Sequence, residues 1–236
     1  MRIALIGYGK MGREIEAIAV EQGDTITEVF EIDRNVDAAS LTNVDVCIEF
    51  STPQSAVRNI QVALESGTDI VVGTTGWYEH LPEIRSYIRN SGLLYSANFS
   101  LGVNLYFRIL ARAGELMKNA PEYDPYIHEI HHRQKVDSPS GTALKIADIL
   151  LSKIDRKNKV LGDSSHGRID PSALHVSSTR AGTFPGTHTV GFDSDADLIE
   201  ITHVAKSRRG FALGAVRAAH WLHGRKGIFT MDDVEF

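Results

Sequence analysis

The sequence predicts an α/β protein that combines a Rossmann-type doubly wound parallel sheet with a second α+β domain containing an open mixed sheet. A glycine-rich turn follows the first apolar strand, and short apolar strands then alternate with helices as far as residue 99. From Gly102 the strands are longer and polar at alternate positions, as in a sheet with one covered face. We therefore assign residues 1–99 and 207–236 to a dinucleotide-binding domain and residues 100–206 to a second domain.

Composition excludes several classes of protein. The 236 residues carry a net charge of -5 with a pI near 6.0, so no basic surface for nucleic acid is expected. The single cysteine, Cys47, lies in an apolar run and excludes an internal disulfide. No apolar run is long enough to span a membrane, and the N-terminus enters a strand without a signal-peptide pattern. We expect a cytoplasmic protein without a membrane partner.

The N-terminal turn has the spacing of a dinucleotide-binding site. A strand at residues 2–6 and a helix at residues 13–22 flank the G-x-G-x-x-G segment Gly7, Tyr8, Gly9, Lys10, Met11 and Gly12. The first glycine permits the tight turn, the second lets a pyrophosphate approach the backbone, and the third lets the helix pack on the strand. These six residues are predicted to hold the phosphates at the helix N-terminus.

A second strand at residues 26–32 leads to Asp33, the predicted ribose-binding acid. Asp33 falls about 20 residues beyond Gly12, where that acid belongs. An acid favours the free ribose hydroxyl of NAD, but the next residue, Arg34, can accept the 2′-phosphate of NADP. The sequence therefore leaves NADH and NADPH open. Glu31 is a second candidate for the ribose contact, ranked lower because it lies inside the predicted strand.

The rest of the first domain continues the alternation, with strands at 44–50, 70–72 and 93–96 and helices at 54–65 and 79–89. Loops at the carboxyl ends of parallel strands line the ligand crevice. Two such loops are expected near the cofactor, and they consist of Gly73, Thr74 and Thr75 and of Ala97, Asn98, Phe99 and Ser100.

The second region begins with a helix at 103–117 that is expected to cross between the domains. A strand at 126–132, a helix at 142–154, a polar loop at 162–172 and strands near 175–179, 187–193 and 198–204 follow. An amphipathic helix at 210–222 is expected to return to the first domain.

Residues 129–142 are the segment with the most titratable groups, including two histidines, two carboxylates and further cations. They connect a strand to a helix, with Ser140 or Gly141 as the N-cap. The first amides of that helix are then free to bind an anion, and a carboxylate is suited to this position.

Two other functions match parts of this pattern. Residues 128–132 fit the zinc pattern H-E-x-x-H, which works only on a helix, and the nearby Pro125 and Pro139 leave too little room for one. We therefore expect no metal site. A nucleotide-sensing Rossmann module without chemistry would explain the glycine turn equally well, but it would leave His131, His132 and Lys135 without a purpose.

The combined motifs resemble the dihydrodipicolinate reductase family, also called the 4-hydroxy-tetrahydrodipicolinate reductases, over nearly the whole chain. The segments that carry the resemblance are GYGKMG at 7–12, GTTG at 73–76, ANFS at 97–100 and EIHHRQKVDSPSGTA at 129–143. The resemblance implies NADH- or NADPH-dependent reduction of 4-hydroxy-tetrahydrodipicolinate to tetrahydrodipicolinate, with loss of water, in lysine and diaminopimelate biosynthesis. It also implies a homotetramer joined through the sheet of the second domain, which would bind the substrate.

The resemblance further implies roles for single residues. His131 would donate and accept protons, Lys135 would be a second proton donor, and His132, Gly141 and Thr142 would hold the cyclic dicarboxylate with help from the Ser140 hydroxyl. The cofactor would contact residues 7–12, Asp33, Arg34, Gly73, Thr74, Thr75, Ser96, Ala97, Asn98 and Phe99. The stretch from Asp33 to Val44 is short, so the wall beside the adenosine ribose is trimmed relative to longer members.

Overall fold

The structure is a computed structural model that describes residues 1–162 and 166–235. The chain divides into two compact units, of which the first is Met1–Asn104 with Arg208–Phe236 and the second is Leu105–Ser207. Each unit has its own sheet and its own apolar core.

The sheet of the first unit is entirely parallel in the described residues. Its strands are β1 (Arg2–Ile6), β2 (Thr25–Phe30), β3 (Val46–Glu49), β4 (Asp69–Val72), β5 (Gly92–Tyr95) and β11 (Gly227–Thr230). The order β11-β5-β4-β3-β1-β2 places β2 on one side of β1 and β3 on the other. This doubly wound order confirms the predicted fold class, and its switch point lies between β1 and β3.

Helices cover both faces of this sheet, and they are α1 (Lys10–Glu21), α2 (Pro53–Glu65), α3 (Leu81–Ile84) and α6 (Arg209–Leu222). Successive side chains of a strand point to opposite faces, so Val46 and Ile48 of β3 enter one core and Cys47 enters the other. Ala215 of α6 shares its core with Ile15 of α1. The predicted return of the C-terminal helix to the first unit is confirmed.

The second unit contains a mixed, open sheet, as predicted. Its described strands are β6 (Asp124–His131), β7 (Lys159–Leu161), β8 (Ala173–Arg180), β9 (Thr187–Asp193) and β10 (Leu198–Val204), in the order β10-β9-β6-β8-β7. β8 is parallel to β6 and β7, whereas β9 is antiparallel to β6 and β10. The helices α4 (Leu101–Met117) and α5 (Gly141–Leu151) contribute Leu110 and Ile146 to a core shared with Ile127 and Val190.

Several predicted elements of the first unit differ from the structure in their bounds, and two of these differences affect the interpretation. β2 ends at Phe30 instead of residue 32, and Ile32 is 96% exposed. The helix predicted at 79–89 is instead a series of short turns, Tyr78–His80, α3 and Arg85–Tyr87. Within α3 only Ile84 is buried, which gives too small an apolar face to support a longer helix.

β7 and β11 were not predicted, because each is short and carries no clear alternation of buried and exposed residues. Part of the predicted loop at 162–172, namely residues 163–165, lies outside the described residues. Among the described residues, no helix has the length and apolarity that crossing a bilayer requires.

Candidate active site

The glycine turn after β1 has the predicted backbone geometry. Gly7 has a φ of +92°, a region that glycine enters readily and other residues avoid. A Cβ at Gly7 would lie 2.3 Å from the Phe50 carbonyl oxygen, and a Cβ at Gly12 would lie 2.3 Å from the Gly7 carbonyl oxygen. A Cβ at Gly9 would meet nothing within 4 Å. The outer glycines therefore permit the turn and the close helix, while Gly9 leaves its backbone open to a ligand.

The N-terminus of α1 is suited to an anion. Gly9 is its N-cap and has no side chain to accept from the first amides, and no acidic residue lies in the first turn. Lys10 is exposed and Met11 is half-buried at the start of the helix. The helix dipole and the Lys10 ammonium together produce a positive potential at this point.

A cavity of about 470 Å³ lies beside the glycine turn in the first unit. Its volume is within the range of small-molecule sites, roughly 300–1,000 Å³. Of the residues predicted to bind the cofactor, Gly7, Tyr8, Gly9 and Arg34 line it. Its wall also contains Ile6, Phe30, Glu31, Ile32, Asn35, Val36, Phe50, Ser51, Thr52, Ser55 and Asn59. Bare backbone for phosphate and a mixed apolar and polar wall fit a dinucleotide.

Glu31 lines this cavity and Asp33 does not. Glu31 was ranked second because it lay inside the predicted strand, but β2 ends one residue earlier, at Phe30. Glu31 is therefore at the carboxyl end of a parallel strand, where ligands of such sheets bind. Asp33 is exposed in the turn that follows. Glu31 is therefore better placed for a ribose in this cavity, and the choice of ribose acid between Asp33 and Glu31 stays a prediction.

The Arg34 guanidinium is already engaged by its neighbours. Nη2 donates to Glu28 Oε2 at 2.7 Å and to Ser40 Oγ at 3.2 Å, and the guanidinium lies 4.5 Å from the centroid of the Phe30 ring. Much of its positive charge is thus neutralised by protein groups. The shortened stretch after Asp33 still contributes Asn35 and Val36 to the cavity wall.

The wall of the cavity does not include the remaining residues that were predicted to bind the cofactor, namely Lys10, Met11, Gly12, Asp33, Gly73, Thr74, Thr75, Ser96, Ala97, Asn98 and Phe99. Gly73 lies against the Phe50 ring, which a Cβ would approach to 2.2 Å. The loop after β5 is fixed by its own hydrogen bonds, because the Asn98 amide donates to Ser96 Oγ at 3.1 Å and the Ser100 amide donates to Asn98 Oδ1 at 2.9 Å. Cofactor contact by these two loops stays a prediction.

In the second unit, the predicted catalytic residues lie around the end of β6. Side chains alternate along this strand, and both Glu129 and His131 are buried. The sheet register places Glu129 opposite Ser178 of β8 and His188 of β9, and places His131 opposite Arg180. The sequence analysis did not single out Ser178, Arg180 and His188, because strand pairing distant in sequence is not encoded in any local pattern.

Glu129 is fully buried and ionised. Its Oε1 accepts hydrogen bonds from the Ser140 amide at 2.9 Å, the Ser178 hydroxyl at 2.7 Å and Arg180 Nη2 at 2.9 Å. Burial raises the pKa of Glu129, but the nearby His188 imidazole and the hydrogen bonds from these three groups outweigh it and hold the pKa well below its ordinary value. A fixed negative charge therefore lies behind the active-site loop.

His131 is 7% exposed, and its Nδ1 lies 3.2 Å from Glu129 Oε2. Its ring meets the edge of the His188 ring with 5.1 Å between centroids. Burial lowers the pKa of His131 to about 4, with Glu129 raising it and the charges of His188 and Lys135 lowering it further. This pKa is below that of an ordinary histidine, about 6.5, because desolvation disfavours the imidazolium. The imidazole is neutral at pH 7.

The loop after β6 holds a carboxylate of its own. Lys135 Nζ lies 2.7 Å from Asp137 Oδ1, and this hydrogen bond, with help from the Gly141 amide, lowers the pKa of Asp137. Lys135 is also close enough to His131 to lower the pKa of that imidazole. His132 Nδ1 is buried and has no hydrogen-bond partner among the described residues. An ammonium and a helix-tip amide thus converge on one anion.

Ser140 is the N-cap of α5, and its Oγ accepts from the Ala143 amide at 3.1 Å. The same Oγ lies 3.3 Å from His188 Nε2, and the residue is 2% exposed. These contacts place the Ser140 hydroxyl inside the fold, and its predicted role as a substrate donor stays a prediction. Gly141 is exposed with open space around it and Thr142 is half-buried, so the helix tip is accessible there.

The zinc pattern at residues 128–132 lies on β6 and its end, so it lacks the helix that it requires. Four residues of extended backbone span about 13 Å, which is too far for His128 and His132 to share an ion. Glu129, His131 and His188 do bring ligand atoms within 4.8 Å of one another in the described chain. The Arg180 guanidinium, 2.9 Å from the same carboxylate, already supplies its positive charge and disfavours a cation there.

A parallel Rossmann-type sheet with an open glycine turn, joined to a unit that presents an imidazole, an ammonium and helix-tip amides, defines an oxidoreductase that depends on a pyridine nucleotide. The chain belongs to the dihydrodipicolinate reductase family. Family models for the N-terminus and C-terminus of dihydrodipicolinate reductase match residues 1–99 and 102–234. The resemblance drawn from the sequence is confirmed.

Two relatives are described as 4-hydroxy-tetrahydrodipicolinate reductases. The chain is 42% identical over 238 residues to that of Christiangramia forsetii, covering 99% of this chain and 97% of the relative. It is 41% identical over 223 residues to that of Neisseria gonorrhoeae, covering 92% and 80%. A dipicolinate-bound dihydrodipicolinate reductase from Paenisporosarcina sp. TG-14 has the same fold, with a TM-score of 0.78 at 21% identity over 98% of this chain and 97% of that one.

Proposed function

We propose that the chain reduces 4-hydroxy-tetrahydrodipicolinate to tetrahydrodipicolinate with loss of water, in lysine and diaminopimelate biosynthesis. Membership of the family supports this reaction. The observation that carries the substrate assignment is the Asp137 carboxylate held by Lys135 and the tip of α5. A loop that binds one carboxylate in this way offers the counter-charge that a cyclic dicarboxylate needs.

In this proposal Lys135, His132 and the amides of Gly141 and Thr142 hold the substrate, whose carboxylate replaces that of Asp137. When bound, the nicotinamide supplies the hydride. The neutral imidazole of His131 takes a proton from the ring carbon next to the departing hydroxyl, and Lys135 protonates that hydroxyl so that it leaves as water. His131 then returns its proton to the enamine carbon after reduction. The sum is one hydride and one proton added and one water lost.

We infer that NADH is the preferred cofactor. The acidic Glu31 lines the cavity and suits a ribose with a free 2′-hydroxyl, whereas it repels a 2′-phosphate. Arg34, the cation available to such a phosphate, already binds Glu28 at 2.7 Å. These two observations support binding of NADH over NADPH.

The direct test follows the absorbance of NADH and of NADPH while dihydrodipicolinate synthase generates the substrate in the same cuvette. Oxidation that requires the synthase product, faster with NADH, supports the proposal. Binding of NADH without turnover would instead favour the nucleotide-sensing function. Activity abolished by a chelator and restored by zinc would favour a zinc-dependent mechanism, as the H-E-x-x-H pattern suggests.

We also propose a homotetramer in the cytoplasm. β10 is an edge strand of the second sheet, and it exposes Leu198 by 47%, Ile199 by 41% and Val204 by 55%. An exposed apolar edge is usually covered by another chain. Cys47 is free and buried, as is common in a reducing compartment. Light scattering on the eluting protein would test the tetramer, and a monomer would refute it.

A further inference from the structure

The two oxygens of the Glu129 carboxylate have different surroundings. Oε1 accepts three hydrogen bonds, from the Ser140 amide, the Ser178 hydroxyl and Arg180 Nη2, at 2.7 to 2.9 Å. Oε2 has no hydrogen bond within the described residues and faces two imidazoles instead. His131 Nδ1 lies 3.2 Å from it and His188 Nε2 lies 3.5 Å from it. One oxygen therefore fixes the carboxylate to the fold, and the other is directed at the imidazoles.

The same contact defines the orientation of the His131 ring. Its Nδ1 is buried and has no hydrogen-bond partner among the described residues. Glu129 Oε2, 3.2 Å away, is the acceptor within its reach. The 3.2 Å approach lacks hydrogen-bond alignment, and catalytic hydrogen bonds of ligand-free proteins commonly tighten when substrate binds. The far edge of the ring faces Gly186, where a Cβ would lie 3.0 Å from Nε2. Glycine at 186 leaves Nε2 unobstructed on that side.

We propose that Glu129 is a positioning residue for the reductase reaction proposed above, acting through His131. It holds the proton of the neutral imidazole on Nδ1, so that Nε2 is the nitrogen that takes and returns the proton of the substrate. It also faces the positive charge that His131 carries between these two steps. This assignment rests on the proposed function, because it has no catalytic consequence if His131 moves no proton.

The energetic cost of burying Glu129 separates the structural role of Oε1 from the role of Oε2 toward His131. An ionised carboxylate without solvent is destabilised by several kcal/mol unless hydrogen bonds replace the lost water. The three donors on Oε1 provide that replacement and leave Oε2 for the imidazoles. A buried carboxylate behind a histidine is known to fix the tautomer and orientation of the ring. If Glu129 had only a structural role, the three hydrogen bonds to Oε1 would be sufficient and His131 would not be involved.

The groups that face His131 determine the expected pH response. They are Glu129 on its own strand, His188 on β9, Arg180 on β8 and Lys135 in the loop. Of these, Glu129 alone favours the imidazolium, and the other three oppose it. Replacing Glu129 by glutamine should therefore lower the pKa of His131. The glutamine amide can also donate a hydrogen bond to Nδ1, and the proton of the neutral imidazole would then be on Nε2.

The first experiment measures the tautomer of His131 in the wild-type protein. Nitrogen-15 NMR of the imidazoles in the full-length wild-type protein, with His131 assigned by His131→Gln, reports which nitrogen carries the proton. A protonated Nδ1 and a bare Nε2 support the proposal. A proton on Nε2 and a bare Nδ1 would overturn the proposal, whatever the variants do. That result would leave open whether the chain is a reductase.

The second experiment compares Glu129→Gln with Glu129→Asp and with Glu115→Gln, an exposed carboxylate of α4 paired with Arg112. For Glu129→Gln we expect kcat to fall roughly 10²- to 10⁴-fold with KM for NADH nearly unchanged and the kcat profile shifted in pH. Glu129→Asp should recover part of kcat, and Glu115→Gln should match the wild type. If Glu129→Gln folds and keeps the wild-type pH profile and tautomer, Glu129 has only a structural role. If wild type itself lacks turnover, the proposed function fails first.

Discussion

Lys135 and Asp137, two residues apart in one loop, form an ion pair with 2.7 Å between Nζ and Oδ1. The side chains are 24% and 55% exposed, so the pair is accessible to a ligand. Partly exposed ion pairs contribute only about 0–1 kcal/mol, so a dicarboxylate can exchange for Asp137 at small cost. We expect this ion pair to keep Lys135 in position in the absence of substrate and to release it when substrate binds.

Asp137→Asn should tighten the binding of dicarboxylates, because Lys135 would no longer be shared with an internal carboxylate. We expect the Kd for dipicolinate to fall roughly 3- to 10-fold by calorimetry, which corresponds to about 0.6–1.4 kcal/mol. Asp170→Asn, which disrupts the exposed pair with Lys159 in the same unit, is the matched control and should leave the Kd unchanged. Weaker binding in Asp137→Asn would mean that Asp137 orients Lys135 for the substrate.

Lys135→Ala should reduce both turnover and substrate binding, since it removes a counter-charge and a proton donor together. We expect kcat/KM for the substrate to fall on the order of 10²- to 10⁴-fold. At low ionic strength, where charges are least screened, the larger part of this loss should be in KM. Lys153→Ala, which removes a lysine paired with Glu115, is the control. A steady-state profile of Lys135→Ala that matches this control would end the assignment.

Glu31→Gln should change cofactor preference. Without the carboxylate, binding of NADH weakens and repulsion of the 2′-phosphate disappears, so the ratio of kcat/KM for NADH to that for NADPH should fall roughly tenfold. Asp33→Asn, tested in parallel, decides between the two acids. If Asp33→Asn changes the ratio and Glu31→Gln does not, Asp33 is the ribose acid and the proposal for Glu31 is wrong.

The His131 imidazole should titrate far below an ordinary histidine in the ligand-free protein, near pH 4, because burial disfavours its charged form. A bound dianion favours the imidazolium and raises this pKa. By linkage, dipicolinate should then bind more tightly as the pH falls from 7 toward 5. NMR titration with and without dipicolinate measures both effects, and a ligand-free pKa near 6.5 would contradict the account.

Local patterns in the sequence predicted several strands of the second unit. The strands at 187–193 and 198–204 have the predicted bounds, because apolar and polar residues alternate along part of each sequence. The glycine turn was equally predictable, since Gly7 and Gly12 each meet a separate steric requirement and Gly9 leaves its backbone open. β7 and β11 could not be predicted, because neighbouring strands supply the stability that their short sequences lack.

The site was predictable where it is local in sequence and not where it depends on pairing. His131, Lys135 and the α5 cap lie within one short segment, so their types and spacing were visible. The side chains of Arg180 and His188 reach Glu129 only through the pairing of β6 with β8 and β9. The lowered pKa of His131 depends on the same burial, so it could not be read from the segment alone.

The central claim is that His131 moves the proton, and the measurement that tests it most directly compares His131→Gln with His128→Gln. His128 is on the same strand, and its Nε2 lies 3.1 Å from Thr179 Oγ1. We expect kcat of His131→Gln to fall roughly 10²- to 10⁴-fold while the Kd for NADH stays within about threefold of the wild type, and His128→Gln to retain both constants. A His131→Gln protein that turns over at the wild-type rate, or that loses NADH binding instead of turnover, would contradict the account.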